Sequence, residues 1–163
     1  MPPDSAEALA DAVGRALRAR GLMIGTAESC TGGLLVGALT AIPGSSEYVK
    51  GGVVAYSNEV KQLLLGVQEE TLESHGAVSE PTAREMAEGV CTRLSVDVGV
   101  GITGVAGPGG GSPEKPVGLV YIGVATPGST RVRRDVWPGT RAEIRAASVV
   151  AALELVLATL GNA

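Results

Sequence analysis

Ser29 is the residue of this chain best placed to act as a nucleophile. It follows an apolar run over residues 22–27, and Thr31, Gly32 and Gly33 after it predict the start of a helix. The first N–H groups of a helix have no partner within it, and together with the helix dipole they favour anionic oxygens. A hydroxyl held beside such donors could attack a carbonyl carbon in front of an oxyanion hole. The competing interpretation is that Ser29 or Thr31 only caps the helix.

A serine nucleophile needs a base, and this sequence favours a lysine over a histidine. The only histidine, His75, precedes Gly76 at the end of a predicted helix, where the helix dipole already favours a basic residue. Lys61 lies in the first turn of another predicted helix, whose positive end disfavours the ammonium form. Tyr56 lies five residues earlier and could bridge the hydroxyl and the amine. The alternative is a surface lysine and a core tyrosine.

A second glycine-rich segment, 104–116, follows a predicted buried strand. Ligands of open α/β sheets collect at strand ends, and successive glycines leave backbone N–H groups open to an anion. The alternative is a mobile surface loop. The substrate-binding positions expected at this strand end and in this segment are Thr103, Gly104, Ala106, Gly107 and Lys115.

Two arginines near the C-terminus have the spacing of an anion clamp. Arg141 and Arg145 lie four residues apart on one face of the last predicted helix, a spacing that suits a phosphate or a carboxylate. The alternative is a pair of solvated side chains.

Three better-known functional motifs can be excluded. Gly99, Gly101 and Gly104 match the dinucleotide pattern, but the first two lie inside a predicted strand, and a Pro/Gly loop follows instead of a helix. Segment 104–112 lacks the Gly-Lys-Ser/Thr ending of a phosphate-binding loop. The nucleophile elbow Gly-x-Ser-x-Gly is absent around Ser29.

The composition excludes several classes of function. With 45% hydrophobic residues but only 2% aromatics and a net charge of −4, the chain has neither the basic run nor the aromatics of a nucleic-acid binder. One His and two Cys argue against a zinc site, so we expect no metal and no cofactor. Cys30 and Cys91 are predicted to be free thiols in a reducing cytoplasm. No uninterrupted apolar stretch has membrane-spanning length, and we expect a cytoplasmic protein without membrane contact.

Strands alternate with helices along the whole chain. They predict one domain, 1–163, with the fold of a three-layer α/β/α sandwich, a mixed, mostly parallel sheet and one late β-hairpin. Asp4 is the predicted cap of the first helix, and Thr140 with Glu143 forms a predicted capping box for the last. The predicted helices are 4–20, 31–41, 57–65, 69–75, one from 79 and 141–160, and the predicted strands are 22–27, 48–56, 96–103, 117–126 and 130–137.

Four long blocks of this chain together resemble the CinA C-terminal domain family, which includes the nicotinamide mononucleotide deamidases. They are TAESCTGG, GSSEYVKGGVVAYSNEVK, HGAVSEPTAREMA and GITGVAGPGGGSPEKPVG. The resemblance implies hydrolysis of the carboxamide of nicotinamide mononucleotide to nicotinate mononucleotide and ammonia, a step of pyridine nucleotide salvage.

The family's functional residues fall on positions already singled out. The resemblance implies Ser29 as nucleophile, Lys61 as base, Tyr56 beside them, and Arg145 as the basic residue of the family block Gly-x-Arg-x-x-Ile/Val-Arg, next to Arg141. It implies a small-molecule nucleotide as partner, and we also expect a homo-oligomer. Larger family members carry a preceding domain that resembles molybdopterin-binding proteins, whose pyrophosphatase activity is not carried over.

Two other functions stay open at this point. One is a non-catalytic binding or regulatory module connected with competence or DNA damage, the context that gave the family its name. The other is a hydrolase of a different amide or nucleotide. A binding module has no need of Ser29 and Lys61 within hydrogen-bond reach of each other, whereas an amidohydrolase has.

Overall fold

The computed structural model of the protein describes residues 5–161, and these form a sheet with helices on both faces. The first half of the described chain runs α1 (Ala6–Arg20), β1 (Ile24–Glu28), α2 (Leu34–Thr40), a short 3-10 helix (Ser45–Glu47), β2 (Val49–Val54), α3 (Asn58–Leu65) and α4 (Glu69–His75). The second half runs α5 (Glu80–Leu94), β3 (Val98–Gly104), β4 (Leu119–Thr126), β5 (Ser129–Val136) and α6 (Arg141–Gly161).

The sheet has the strand order β2-β1-β3-β4-β5. Strand β1 pairs in parallel with β2 and with β3, and the pairs β3–β4 and β4–β5 are antiparallel. Only β4 therefore opposes the direction of the other strands, and β4 with β5 forms the late hairpin. The predicted fold class is confirmed.

The two faces of the sheet are covered by different helices. Helices α1, α2 and α6 pack against one another on one face, and α3, α4 and α5 lie on the other. Gly99 and Gly101 of β3 lie beneath α5, where a Cβ atom would be 2.3 Å from the carbonyl oxygen of Ala87 and 2.7 Å from that of Ala83. These glycines of the failed dinucleotide motif thus allow a helix to pack closely on the strand.

Helix caps set most of the element boundaries. Ser5 caps α1 by accepting a hydrogen bond from the N–H of Ala8, and Asp4, the predicted cap, lies outside the described residues. Thr140 and Glu143 form the predicted capping box before α6. Helix α2 begins at Leu34, later than the predicted residue 31, because Gly32 and Gly33 adopt positive φ angles that a helix does not contain.

Helix α6 is long and apolar enough to cross a bilayer by length and composition, and half of its most apolar window is buried inside the domain. Ser148 and Glu154 interrupt its apolar sequence. It packs against α1, α2 and the sheet, which is the position of a core helix in a globular domain.

Candidate functional site

A pocket of about 270 Å³ lies where the parallel strands β1, β2 and β3 end. The chain leaves β1 through α2 to reach β2, and leaves β2 through helices on the opposite face to reach β3. Open α/β sheets bind ligands at such a switch in strand order. The residues that line the pocket are Ser29, Cys30, Tyr56, Asn58, Lys61, Ala77, Val78, Thr103, Gly104, Ala106 and Arg141.

Ser29 and Lys61 converge on one backbone oxygen in this pocket. The Ser29 hydroxyl donates to the carbonyl of Tyr56 at 3.4 Å, and the Lys61 ammonium donates to the same carbonyl at 3.0 Å. No direct hydrogen bond joins the serine to the lysine within residues 5–161. The two groups lie at most two hydrogen-bond lengths apart, since they share an acceptor.

Lys61 is unusual for a lysine because its side chain is buried, with 2% of the residue exposed. Within the described part of the chain it forms no ion pair with a carboxylate. Burial lowers the pKa of Lys61, and the charge of a Cys30 thiolate would act weakly in the opposite direction. The surroundings therefore favour the neutral amine, the form that accepts a proton.

The backbone of Tyr56, and not its side chain, lies between the serine and the lysine. Its hydroxyl is 3.5 Å from Nη2 of Arg141, and the residue is 65% exposed. In this conformation the tyrosine hydroxyl therefore does not bridge Ser29 and Lys61, and a bridging role stays a prediction. Neither is Tyr56 a core residue, since its ring lies at the mouth of the pocket.

The turn between β1 and α2 is closed by Glu28, which sequence reasoning missed. The Glu28 carboxylate is buried and accepts hydrogen bonds from the N–H groups of Leu35 and Val36, the first turn of α2. This end of the helix is therefore already occupied by an internal anion. It is not open to a substrate in the way the sequence suggested.

Thr31, Gly32 and Gly33, the other predicted substrate-binding residues of this turn, do not line the pocket. Thr31 is fully buried, and its hydroxyl donates to Glu28 at 2.7 Å. Gly32 and Gly33 have φ angles of 56° and 105°. Their role in this conformation is to shape the turn that presents Ser29.

The two arginines of α6 have separate places. Arg141 lines the pocket, where its Nη1 donates to the carbonyl of Gly107 at 2.8 Å. Arg145 lies behind the serine turn and donates to the carbonyls of Cys30 at 3.0 Å and Thr31 at 3.3 Å. The structure thus brings Arg141 to the pocket and not Arg145, which the resemblance indicated.

The first residues of the loop after β3 line the pocket, whereas its glycine-rich tip does not. Thr103, Gly104 and Ala106 line the pocket, and Thr103 donates to the carbonyl of Ala77 at 2.7 Å. Gly107 contributes only its carbonyl to Arg141. Lys115 does not line the pocket, because its amine donates to the carbonyl of His75 at the end of α4.

Comparison with known proteins identifies the family of this chain. The CinA C-terminal domain family matches residues 6–160. The chain belongs to this family. The CinA-like protein of Gemmatimonas aurantiaca is 56% identical over 135 residues, which are 83% of this chain and 32% of that protein. The CinA-like protein of Gloeobacter violaceus is 53% identical over 152 residues, 91% of this chain and 35% of that protein. This domain spans about a third of the length of these curated relatives.

Solved structures share the fold over nearly the whole chain. The competence/damage inducible protein CihA of Agrobacterium tumefaciens has a TM-score of 0.93 at 47% identity, covering 99% of this chain and 98% of that one. A CinA superfamily protein of Klebsiella pneumoniae has a TM-score of 0.94 at 36% identity, covering 98% and 99%. The names of these two proteins refer to competence and damage and state no catalytic activity.

The CinA domain also holds a thiol in its pocket. Burial raises the pKa of Cys30 to about 11, so the thiol stays protonated at neutral pH. A protonated thiol is a poor nucleophile, and Ser29 remains the better candidate beside it. Both Cys30 and Cys91 are free, as predicted.

Three further lining residues lie within the blocks that resemble the family, but sequence reasoning did not single them out. Asn58 begins α3, and Ala77 with Val78 lies in the connection between α4 and α5. These residues reach the pocket only because the helices on that face return the chain to the strand ends. No spacing rule relates them to Ser29.

Proposed function

We propose that this CinA C-terminal domain hydrolyses the carboxamide of nicotinamide mononucleotide to nicotinate mononucleotide and ammonia. The observation that carries the proposal is the convergence of Ser29 and the buried Lys61 on the carbonyl of Tyr56. A hydroxyl and an amine with depressed pKa at a strand-end pocket are the components of a serine–lysine hydrolase.

Lys61 acts as the general base. As a neutral amine it has two N–H donors and one lone pair, and one N–H stays bonded to the Tyr56 carbonyl. The lone pair then accepts the Ser29 proton when the hydroxyl turns away from its long 3.4 Å hydrogen bond. Such catalytic hydrogen bonds are commonly loose before substrate binds.

Ser29 Oγ attacks the carboxamide carbon, and the electron pair of the C=O bond moves to the oxygen. We propose the N–H group of Cys30, which lines the pocket, as an oxyanion donor, because Glu28 occupies the N–H groups of Leu35 and Val36. The C–N bond then breaks, and the protonated lysine gives its proton to the leaving ammonia. Water hydrolyses the acyl-enzyme with Lys61 as base again, and Ser29 recovers its proton.

Arg141 is the residue proposed to bind the phosphate. It is the arginine whose side chain lines the pocket, and its guanidinium offers donors in the planar arrangement that suits a phosphate. Its hydrogen bond to Gly107 fixes the guanidinium at one side of the pocket. The proposal thus moves the anion contact from Arg145 to Arg141.

The deciding experiment is ammonia release from nicotinamide mononucleotide by purified protein, with and without a chelator. Ser29→Ala and Lys61→Met are compared with the exposed control variants Ser46→Ala and Lys50→Met. The proposal expects release by the wild type and both controls, with little release by the first two variants. Equal release by all of them would refute the serine–lysine chemistry.

A second candidate is a non-catalytic binding module, which the absence of a direct Ser29–Lys61 hydrogen bond within residues 5–161 favours. The relatives named for competence and damage are consistent with it. Calorimetric titration with nicotinamide mononucleotide separates the two functions, because a binding module would bind the nucleotide without releasing ammonia. A panel of related amides tests the third possibility, a hydrolase of another amide.

A further inference from the structure

We infer that Glu28 is a positioning residue for the nucleophile: its buried carboxylate fastens the turn that carries Ser29 onto the first turn of α2. The expected effect on kcat rests on the proposed function. The attachment of the turn to α2 rests on the structure alone. Glu28 is the last residue of β1, the residue directly before Ser29, and only 1% of it is exposed.

Both carboxylate oxygens of Glu28 are used, and each accepts two hydrogen bonds. Oε1 accepts from the Thr31 hydroxyl at 2.7 Å and from the N–H of Leu35 at 2.8 Å. Oε2 accepts from the N–H of Val36 at 3.1 Å and from the Thr26 hydroxyl at 3.3 Å. The one side chain therefore ties together the strand before Ser29, the middle of the turn and the helix after it.

The charge of Glu28 is balanced by the helix and not by a cation. Within the described part of the chain no lysine or arginine forms a salt bridge with it, and its carboxylate accepts instead from the N–H groups at the positive, N-terminal end of α2. Other hydrogen bonds hold the backbone of the turn: the N–H of Ser29 donates to the carbonyl of Ile102, and Arg145 donates to the carbonyls of Cys30 and Thr31.

This arrangement requires a carboxylate with the length of glutamate. Glutamine has only one oxygen that accepts hydrogen bonds. Its NH₂ group would replace the other carboxylate oxygen and would face two N–H or O–H donors. Aspartate is shorter by one CH₂ group and would not reach Leu35 and Val36 from the same backbone position. The Ser29 turn then loses these hydrogen bonds to α2, while the pocket residues from α3, β3 and α6 stay in place.

The test compares Glu28→Gln with Glu85→Gln, a matched control that does not line the Ser29 pocket. Glu85 also binds a helix start, since its carboxylate accepts from the N–H of Gln68 at 2.9 Å and from the Thr71 hydroxyl at 2.6 Å. We expect Glu28→Gln to lower kcat for nicotinamide mononucleotide by roughly 10- to 100-fold with KM changed less than about 3-fold, because misplacement of a reacting group costs rate more than binding. Glu85→Gln keeps both constants.

If Glu28→Gln fails to fold, two milder substitutions at Thr26 still test the inference. Thr26→Val removes only the longest of the four hydrogen bonds to Glu28. It should lower kcat by roughly 2- to 5-fold, and Thr26→Ser, which keeps the hydroxyl, should restore it. An unchanged kcat in both Glu28→Gln and Thr26→Val, with an active wild type, overturns the inference and leaves the proposed function intact.

Amide hydrogen exchange gives a readout that does not depend on activity. In folded Glu28→Gln, or in Thr26→Val where that variant alone folds, peptides covering residues 29–36 should exchange faster than in the wild type, whereas Glu85→Gln should speed exchange only around Gln68 and Thr71. An inactive wild type refutes the proposed function, and the exchange result then decides alone whether Glu28 holds the turn. Unchanged exchange over residues 29–36 overturns the inference.

Discussion

The turn after β1 and the loop after β3 both follow parallel strands and are both rich in glycine, but they are held in different ways. The β1 turn is fastened at both ends and in the middle, by Glu28 from inside and by Arg145 from behind. The β3 loop is fastened at its base and at Lys115, while its tip, Gly109–Gly111, is exposed and away from the pocket. Glycine permits both bends, but only convergent polar groups make one of them a candidate site.

The largest effect should come from the two groups that would move the proton. Ser29→Ala and Lys61→Met should each lower kcat for nicotinamide mononucleotide by roughly 10²- to 10⁴-fold, because each removes a reacting group. Methionine fills the buried space of the lysine stem, so the fold should persist. Thermal melts confirm folding, and near-normal turnover in either variant would contradict the proposed pair.

The next effect should separate the two arginines of α6. Arg141→Met should lower kcat/KM for nicotinamide mononucleotide by roughly 10- to 100-fold and leave the slower rate on nicotinamide riboside unchanged, because only the nucleotide has a phosphate for the guanidinium. Arg145→Met should lower the rate on both substrates equally, since it loosens the serine turn. Equal losses on both substrates for Arg141→Met would place the phosphate elsewhere.

The pH dependence should report on Lys61. Burial lowers its pKa, and only the neutral amine accepts the serine proton, so loss of a proton activates the site. We expect kcat/KM to rise about tenfold per pH unit on the acidic side and to level off below the ordinary pKa of a lysine. A profile flat down to acidic pH, or a limb at the ordinary lysine value, would contradict a buried lysine base.

The sequence predicted the architecture well because periodicity and caps are local properties. The hairpin, the capping box before α6 and the strand that precedes Ser29 all follow from residues close to one another in the chain. Lys61 could be selected for the same reason, since its place at the start of a helix is visible in the sequence.

The site could be predicted only where local pattern and tertiary position coincide. In the sequence, Glu28 resembles any polar residue at the end of a strand. Its partners Leu35 and Val36 come within hydrogen-bond distance only when α2 folds back. Arg141 and Arg145 share one helical face by spacing, yet the crossing of α6 over the β1 turn sends one to the pocket and the other beneath the turn. Oligomeric state and cytoplasmic location stay predictions.

The smallest effects should come from single methyl groups placed in the two glycine segments. Gly33 of the β1 turn has a φ of 105°, and a Cβ there would meet only Val54 at an ordinary 3.6 Å. Gly33→Ala should therefore cost about 1–3 kcal/mol through backbone strain and not through a clash. Near the tip of the β3 loop, a Cβ at Gly109 meets nothing within 4 Å, so Gly109→Ala should leave stability unchanged.

Thermal melts and turnover of these two variants test whether the fastened turn or the exposed loop carries the site. A cost of that size lowers the Tm by roughly 2–4 °C for each kcal/mol in a domain of this length. Gly33→Ala should also lower kcat, because its strain falls on the turn that presents Ser29, whereas Gly109→Ala should keep both quantities. A loss of activity in Gly109→Ala without a loss of Tm would instead assign the substrate contact to the loop tip.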